Sequence, residues 1–403
     1  MDEAPITRET FDEVFTPNYA PADQLLERGL GSRVWDESGK EYIDFAAGIA
    51  VNILGHASPI MVDALTDQAG RIWHHSNAYA STPGIRLART LVRETFADKV
   101  FLCNSGGEAN EAALKLARRY AYDNHGEGKH EIVSFQKSFH GRTLFTVSVG
   151  GQPKYTEGFG PVPEGIHHLP YNDLDALGEV INERTCAVMV EPVMGEGGLI
   201  EGEPVFLQRL RDRCDATGAL LIFDEVQSGM GRTGDLFAYM GYGITPDILT
   251  SAKGLGGGFP IGVMLATAEV GASMVIGTHG STFGGNPLAA SVANAVLGEI
   301  LSGGFLDEVN RKANQLRAGL EQIGQSRGVY QEVRGRGLWL GAVLDGSWAG
   351  RSKDVADAAF EHGAMVLRAG SNVVRFAPAL NITEEELTEG LKRFDAALRS
   401  LVA

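Results

Sequence analysis

The chain has 403 residues, of which 44% are hydrophobic and 21% are charged, a composition typical of a globular protein large enough for two domains. Its formal net charge of -16, without a cluster of lysine and arginine, argues against nucleic acid as a partner. The apolar runs are too short to span a bilayer, and the start Met1-Asp2-Glu3 is unlike a signal peptide, so we expect a cytoplasmic protein without a membrane partner. Because the three cysteines lack a paired spacing, we expect neither a disulfide nor a metal site.

The predicted elements begin with a hairpin, in which short strands at 32–35 and 42–45 flank the turn Glu37-Ser38-Gly39-Lys40. Between about residues 60 and 290, short apolar runs then alternate with amphipathic segments. Strands are expected at 100–102, 131–135, 187–190, 219–223, 248–251 and 263–266. Helices are expected between them, as at 108–122 and 205–217. This alternation predicts an α/β domain with a largely parallel central sheet.

The last part of the chain has a different pattern. A long apolar-periodic helix at 287–301 is followed by a second helix, strands near 338–344 and 373–376, and a final helix at 384–401. This pattern predicts an α+β unit. We therefore divide the chain into residues 1–60, which contribute to a small domain, a large domain at 61–291, and the rest of the small domain at 292–403.

Two chemically notable residues follow predicted strands of the large domain. Asp224 ends the run at 219–223, and the carboxyl ends of such strands face the ligand crevice. A protonated pyridine nitrogen would be a suitable partner for this carboxylate, but helix capping or magnesium binding would explain it equally well. Lys253 follows the strand at 248–251. In an apolar site its amine could attack an aldehyde, and the alternative is an ordinary exposed loop lysine.

A third candidate is the segment Asn104-Ser105-Gly106-Gly107-Glu108, between a predicted strand and a predicted helix. Its backbone N–H groups could bind a phosphate at the helix N-terminus, and Ser105 with Glu108 also has the spacing of a capping box. Both interpretations can hold together. The dinucleotide-binding, P-loop and H-E-x-x-H motifs do not occur, which argues against those classes of site.

Seven motifs, in order over nearly the whole chain, strongly resemble the class III (ornithine-type) aminotransferases. The segments that carry the resemblance are Ser105-Gly-Gly-Glu-Ala-Asn-Glu111, Phe139-His-Gly-Arg-Thr143, Glu191-Pro192 with Gly195-Glu-Gly-Gly198, Phe223-Asp-Glu-Val-Gln227, Ser251-Ala-Lys253-Gly254, Gly280-Ser-Thr-Phe-Gly-Gly-Asn-Pro287 and Arg375-Phe-Ala-Pro378. Within this family the chain is most similar to the enzymes that act on acetylornithine or succinylornithine. The resemblance implies the aspartate-aminotransferase-like fold, fold type I of the pyridoxal-phosphate (PLP)-dependent transferases, with a mostly parallel sheet in a large domain and a smaller α+β domain.

The resemblance also implies how the cofactor, pyridoxal 5'-phosphate, would be held. Lys253 would carry it as a Schiff base and act as general base and acid, and Asp224 would keep its ring nitrogen protonated. The remaining cofactor-binding residues would be Ser105, Gly106, Gly107, Phe139, His140, Val226, Gln227 and Thr282. Thr282 would reach the cofactor of the neighbouring subunit, so the resemblance implies a homodimer with shared active sites.

For the substrates, the resemblance implies five binding residues. Ser281 would come from the neighbouring subunit, and Arg142 would hold a substrate carboxylate. Arg375 would bind the α-carboxylate of glutamate or 2-oxoglutarate, and Glu196 would pair with Arg375 whenever the other amino donor is bound. Tyr19 lies in a segment that resembles the acylornithine enzymes and is included as the fifth residue.

The function that follows is transfer of the δ-amino group of N2-acetyl-L-ornithine or N2-succinyl-L-ornithine to 2-oxoglutarate. The products would be the N-acyl-glutamate 5-semialdehyde and L-glutamate, in arginine metabolism. Alternative donors are ornithine, N-succinyl-diaminopimelate and 4-aminobutyrate. A decarboxylase or aminomutase using the same cofactor is a further alternative, and a non-catalytic binding protein on the same fold is an alternative of another class.

Overall fold

A computed structural model describes residues 6–402 of the chain. The strands are β1 (Leu26–Leu30), β2 (Arg33–Asp36), β3 (Glu41–Asp44), β4 (Lys99–Cys103), β5 (Glu131–Phe135), β6 (Ile166–Leu169), β7 (Thr185–Val190), β8 (Val193–Met194), β9 (Ile200–Glu201), β10 (Leu220–Asp224), β11 (Ile248–Ser251), β12 (Gly262–Ala266), β13 (Tyr330–Arg336), β14 (Trp339–Leu344), β15 (Ala364–Met365), β16 (Leu367–Arg368) and β17 (Val373–Phe376). The helices are α1 (Arg8–Val14), α2 (Ala47–Ala50), α3 (Pro59–Ala69), α4 (Thr82–Glu94), α5 (Gly106–His125), α6 (Leu144–Val149), α7 (Leu177–Val180), α8 (Pro204–Thr217), α9 (Ala238–Tyr242), α10 (Ala268–Gly271), α11 (Pro287–Ile300), α12 (Phe305–Arg327), α13 (Ser352–Glu361) and α14 (Glu384–Val402).

The central sheet has seven strands in the order β4-β12-β11-β10-β7-β5-β6. Five neighbouring strands, from β11 to β6, are parallel, and β12 is antiparallel to both β11 and β4. Every residue of β7 and β10 is buried, as expected for strands covered by helices on both faces. The predicted α/β fold with a largely parallel sheet is therefore confirmed.

The sheet places several chain segments at one edge. In a parallel arrangement the carboxyl ends of β7, β10 and β11 lie side by side. Because β12 is antiparallel to both of its neighbours, β4 runs in the same direction as β11 and ends at the same edge. Residues that follow these four strands contribute much of the site described below, together with residues that follow β5.

The described residues form three smaller sheets. Two have four strands, in the orders β1-β2-β3-β15 and β13-β14-β17-β16, and the third is the pair β8-β9. The hairpin β2–β3 confirms the prediction at 32–45, and β3 also pairs in parallel with β15 from the C-terminal part of the chain. The division at 60/61 and 291/292 stays a prediction, and residues 1–5 and 403 of its outer segments lie outside the described residues.

Within residues 6–402, no single helix is long and apolar enough to cross a membrane, and α11 with α12 meets that criterion only as a pair bent by 74°. Eight residues of α11 are buried in the protein core, from Pro287 to Ile300. All three cysteines are buried and free.

Candidate active site

A cavity of about 270 Å³ opens at the carboxyl edge of the central sheet. Its walls include Lys253, Asp224, Gln227, Phe139 and Gly106. The amine and the carboxylate singled out from the sequence, which are separated along the chain, therefore line one pocket.

Lys253 follows β11 and begins a short 3-10 turn that ends at Leu255. Its φ of 41° lies in the left-handed region, which is costly for a residue with a side chain and is found most often at functional sites. Loss of water around the amine, together with the nearby positive charge of Arg375, lowers the pKa of Lys253 to about 8. A much larger fraction of this amine is thus unprotonated near neutral pH than for an ordinary lysine.

Asp224 is the last residue of β10 and is 4% exposed. Its Oδ2 accepts a hydrogen bond from Asn110 Nδ2 at 2.8 Å and lies 2.8 Å from Nδ1 of His140, while Oδ1 accepts from the Val226 N–H at 3.0 Å. Burial alone would lower the pKa of His140, but Asp224 raises it above its usual value. The carboxylate is therefore held in place by three donors, as a buried charge requires.

Asn110 belongs to the site but was not predicted from the sequence. Its amide also donates to the carbonyl of His140 at 2.7 Å, and its Oδ1 accepts from Thr250 Oγ1 at 2.6 Å. Asn110 thus ties α5 to the ends of β10 and β11. The sequence signal was a lone amide among the buried alanines of an amphipathic helix.

Glu191 lies in one of the motifs that resemble the class III family, but no role in the site was predicted for it. It directly follows β7, lines the cavity and is 4% exposed. Its oxygens accept from the N–H groups of Phe139 at 2.9 Å and Gly195 at 3.2 Å. Burial raises the pKa of Glu191 to about 7, against the opposing effect of His140.

The N-terminus of α5 forms another wall of the cavity. The Ser105 hydroxyl accepts from the Glu108 N–H at 3.2 Å, so Ser105 caps the helix as predicted. Gly106 and Gly107 also line the cavity, and N–H groups in a first helical turn lack partners within the helix. A Cβ on Gly106 would lie 2.7 Å from Val226 Cγ1, so only glycine lets the two segments pack this closely.

Glu196 and Arg375 form an ion pair beside the cavity. Oε1 of Glu196 lies 2.7 Å from Nη1 of Arg375, whose guanidinium is 3% exposed. Burial would raise the pKa of Glu196, but Arg375 outweighs that effect and lowers it. Nε of Arg375 has no hydrogen-bond partner within the described chain. The pair therefore matches the predicted contact between these two residues.

Six of the predicted site residues are not among those that line the cavity, and two of the six are the Glu196–Arg375 pair described above. The guanidinium of Arg142 lies over the Tyr155 ring, 4.1 Å from its centroid, and Tyr19 is 73% exposed. Ser281 and Thr282 line a separate crevice. Within the described chain, neither Ser281 nor Thr282 is therefore among the residues that line the cavity.

A family profile described as "Aminotransferase class-III" matches residues 14–398. The chain belongs to the class III aminotransferases. Aminotransferases of this class depend on pyridoxal 5'-phosphate, and the predicted enzyme class and cofactor are thereby confirmed.

Individual relatives agree with the family profile. A succinylornithine transaminase/acetylornithine aminotransferase of Pseudomonas aeruginosa is 57% identical over 99% of this chain and 98% of the relative. The N-acetylornithine aminotransferase of Stenotrophomonas maltophilia K279a superposes with a TM-score of 0.86 at 43% identity, covering 98% and 99% of the two chains. The ornithine aminotransferase of Toxoplasma gondii, in a structure described with PLP at its active site, superposes with a TM-score of 0.92 at 34% identity, covering 97% and 93%.

The cavity of this aminotransferase fits that cofactor. It combines an amine of lowered pKa with a buried carboxylate, which suit an aldehyde and a pyridinium nitrogen respectively. Oε1 of Gln227 and Nε2 of His140 are buried without a hydrogen-bond partner in the described chain. Buried polar atoms without partners in a pocket wall are expected where a polar ligand binds.

Proposed function

We propose that the chain transfers the δ-amino group of N2-acetyl- or N2-succinyl-ornithine to 2-oxoglutarate, with release of the N-acyl-glutamate 5-semialdehyde and glutamate. The observation that carries this proposal is the cavity in which Lys253 and Asp224 meet beside the Glu196–Arg375 pair. The 57% identity to a relative named for both acyl donors supports the choice of substrate.

The residues around the cavity have distinct roles in this proposal. When bound, the cofactor draws electrons away from the carbon that carries the amino group. Lys253 removes a proton from that carbon and later returns one, which its lowered pKa favours. Asp224, fixed by Asn110 and His140, keeps a proton on the cofactor's ring nitrogen.

Other groups bind the cofactor without moving protons. The backbone of Ser105, Gly106 and Gly107 would hold its phosphate at the N-terminus of α5. Phe139 and Val226, which line the cavity, would contact the ring, and His140 lies 2.8 Å from Asp224. The side-chain amide of Gln227, whose Oε1 has no partner in the described chain, would make a polar contact to the ring oxygen.

The Glu196–Arg375 pair lets one cavity accept two unlike amino acids. The carbon that carries the δ-amino group of an acylated ornithine bears only a hydrogen atom where the corresponding carbon of glutamate bears the α-carboxylate, so Arg375 would face no anion. Glu196 then neutralises the buried guanidinium, and glutamate must displace Glu196 in order to bind. Arg142 and Tyr19 are proposed to contact the remainder of the donor.

The active enzyme is proposed to be a homodimer in which Ser281 and Thr282 complete the partner's site. Two large apolar side chains near these residues are exposed: Phe283, which directly follows Thr282, is 61% exposed, and Tyr79, which lines a crevice together with Ser281, is 73% exposed. Such a patch on a single subunit is typical of a protein interface. The cytoplasm is the proposed location, as the three free, buried cysteines are suited to a reducing compartment.

Complementation tests the shared site. Lys253→Ala and Thr282→Ala subunits, each mixed only with itself, are expected to be strongly impaired. A mixed dimer contains one intact site and should regain a substantial part of the wild-type activity. Mixing without any gain would contradict the shared site.

The substrate is tested with a panel of amino donors and 2-oxoglutarate as acceptor. Acetylornithine or succinylornithine should exceed ornithine, N-succinyl-diaminopimelate and 4-aminobutyrate in kcat/KM. Comparable use of free ornithine would refute the acyl specificity. Release of CO₂, or no change of the cofactor's absorption with any donor, would favour the decarboxylase or the non-catalytic alternative instead.

A further inference from the structure

The carboxylate of Glu191 connects the cavity wall at Phe139 with the turn that carries Glu196. One oxygen accepts from the N–H of Phe139, and the other accepts from the N–H of Gly195. Phe139 itself lines the cavity, whereas Gly195 directly precedes Glu196. The two partners are 56 positions apart in the chain, and this carboxylate is the acceptor that joins them.

Gly195 is the first residue of the turn that carries Glu196. The carbonyl of Gly195 accepts from the N–H groups of Gly198 and Leu199 at 3.2 and 3.3 Å, which closes the turn. A Cβ on Gly195 would lie 2.7 Å from Trp339 and 2.9 Å from Nε2 of Gln227. The turn is therefore pressed against the wall that contains Gln227, and a shift at Gly195 would move Glu196 relative to Arg375.

The main chain of Glu191 is also held in place. The Tyr171 hydroxyl donates to the Glu191 carbonyl at 2.7 Å, and Glu191 directly follows the fully buried strand β7. The carboxylate thus extends from a rigid strand end to two loops. A carboxylate can accept from both N–H groups at once, whereas an amide of the same size must turn an NH₂ group toward one of them.

We propose that Glu191 is a positioning residue that sets the spacing between Phe139, on the cofactor side of the cavity, and the turn that places Glu196 against Arg375. Through these two contacts it acts on cofactor binding and on the choice between the two amino donors. The second effect rests on the proposed function of the Glu196–Arg375 pair, whereas the first requires only the PLP-dependent class.

Glu225 provides a matched control. It is fully buried, and its oxygens accept from the N–H groups of Ala238 at 2.6 Å and Tyr239 at 2.8 Å. Burial raises the pKa of Glu225 to about 7, as it does for Glu191. Unlike Glu191, Glu225 is not among the residues that line the cavity. The two glutamates therefore have similar burial and similar backbone hydrogen bonds, but only Glu191 lies in the cavity wall.

The test compares Glu191→Gln with Glu225→Gln as holoenzymes and after removal of pyridoxal 5'-phosphate. We expect both variants to lose thermal stability. Only Glu191→Gln should bind the cofactor roughly tenfold more weakly and show a reduced induced circular dichroism band of the bound cofactor. It should also change KM for glutamate and KM for the acylornithine donor by different factors.

Equal cofactor affinity in the two variants, whether unchanged or equally weakened, would overturn the proposal. If Glu191→Gln does not fold, Glu191→Asp keeps the charge with a shorter reach and should show the same weakening. Wild-type affinity in Glu191→Asp, or failure of both Glu191 variants to fold while Glu225→Gln folds, would reduce Glu191 to a structural residue and overturn the proposal. The affinity and dichroism measurements use no amino donor, so their failure is distinguishable from failure of the donor panel.

Discussion

The Glu196–Arg375 pair yields a quantitative prediction for Glu196→Gln. This variant keeps the size of the side chain but removes the charge that neutralises Arg375. The acylornithine half-reaction should slow, because the guanidinium, 3% exposed, is then left as an unpaired buried cation. The glutamate half-reaction should keep its rate or gain, because no ion pair has to be broken before the α-carboxylate binds.

The magnitude follows from the geometry of the pair. A hydrogen bond to a charged group contributes about 1.5–3 kcal/mol. Because the Glu196 side chain is 27% exposed, water reduces the effect and the lower half of this interval applies. With a factor of ten for each ~1.4 kcal/mol, the ratio of kcat/KM for acylornithine to kcat/KM for glutamate should fall roughly ten- to fortyfold.

The assay is stopped-flow absorption of the cofactor bands, with each amino acid supplied alone so that the two half-reactions are measured separately. Glu201→Gln is the control, since it removes one negative charge from the neighbouring strand β9 and Glu201 has no ion pair with Arg375 in the described structure. A ratio within twofold of wild type, or a shift in favour of the acylornithine, would refute the role given to this pair.

Further predictions concern the cofactor end of the cavity. Because the pKa of Lys253 is lowered to about 8, the rate at which the apoprotein captures pyridoxal 5'-phosphate should rise about tenfold per pH unit below pH 8 and level off above it. A rate measured by stopped flow that rises steadily to pH 10 would indicate an ordinary lysine. Asp224→Asn should retain measurable cofactor but slow single-turnover transamination by roughly a hundredfold, and a rate above half of wild type would be inconsistent with its role. Asn110→Ala removes a buried donor to Asp224 and should lower the free energy of unfolding by about 1–3 kcal/mol in urea titrations, whereas an unchanged midpoint and slope would argue against that contact.

The central sheet was predictable because its strands are buried on both faces and therefore appear as continuous apolar runs. The predicted strands at 131–135 and 248–251 coincide with β5 and β11. Asp224 and Lys253 were predicted as site residues because each lies at or just beyond the carboxyl end of such a strand. β13 was missed, because Tyr330–Arg336 is largely polar and partly exposed and lacks the apolar pattern used to find strands. β6, a short edge strand with two histidines, was missed for the same reason.

The positioning residues were harder to predict, because their roles depend on contacts between distant parts of the chain. Asn110 meets Asp224 across 114 positions, and no local pattern identifies that pair. The proposed role of Glu191 likewise depends on its hydrogen bonds to Phe139 and Gly195, which lie far from each other in the sequence. The Glu196–Arg375 contact, across 179 positions, was expected from resemblance to the family and not from any spacing in the sequence.

The claim on which the rest depends is that the amine of Lys253 bonds to the cofactor. Borohydride reduction of the holoenzyme, followed by proteolysis and mass spectrometry, measures this directly. We predict that the pyridoxyl phosphate group is found on Lys253 and that the label is absent from the Lys253→Ala variant treated in the same way. A label on another lysine, or a reduced holoenzyme that carries none, would contradict the account.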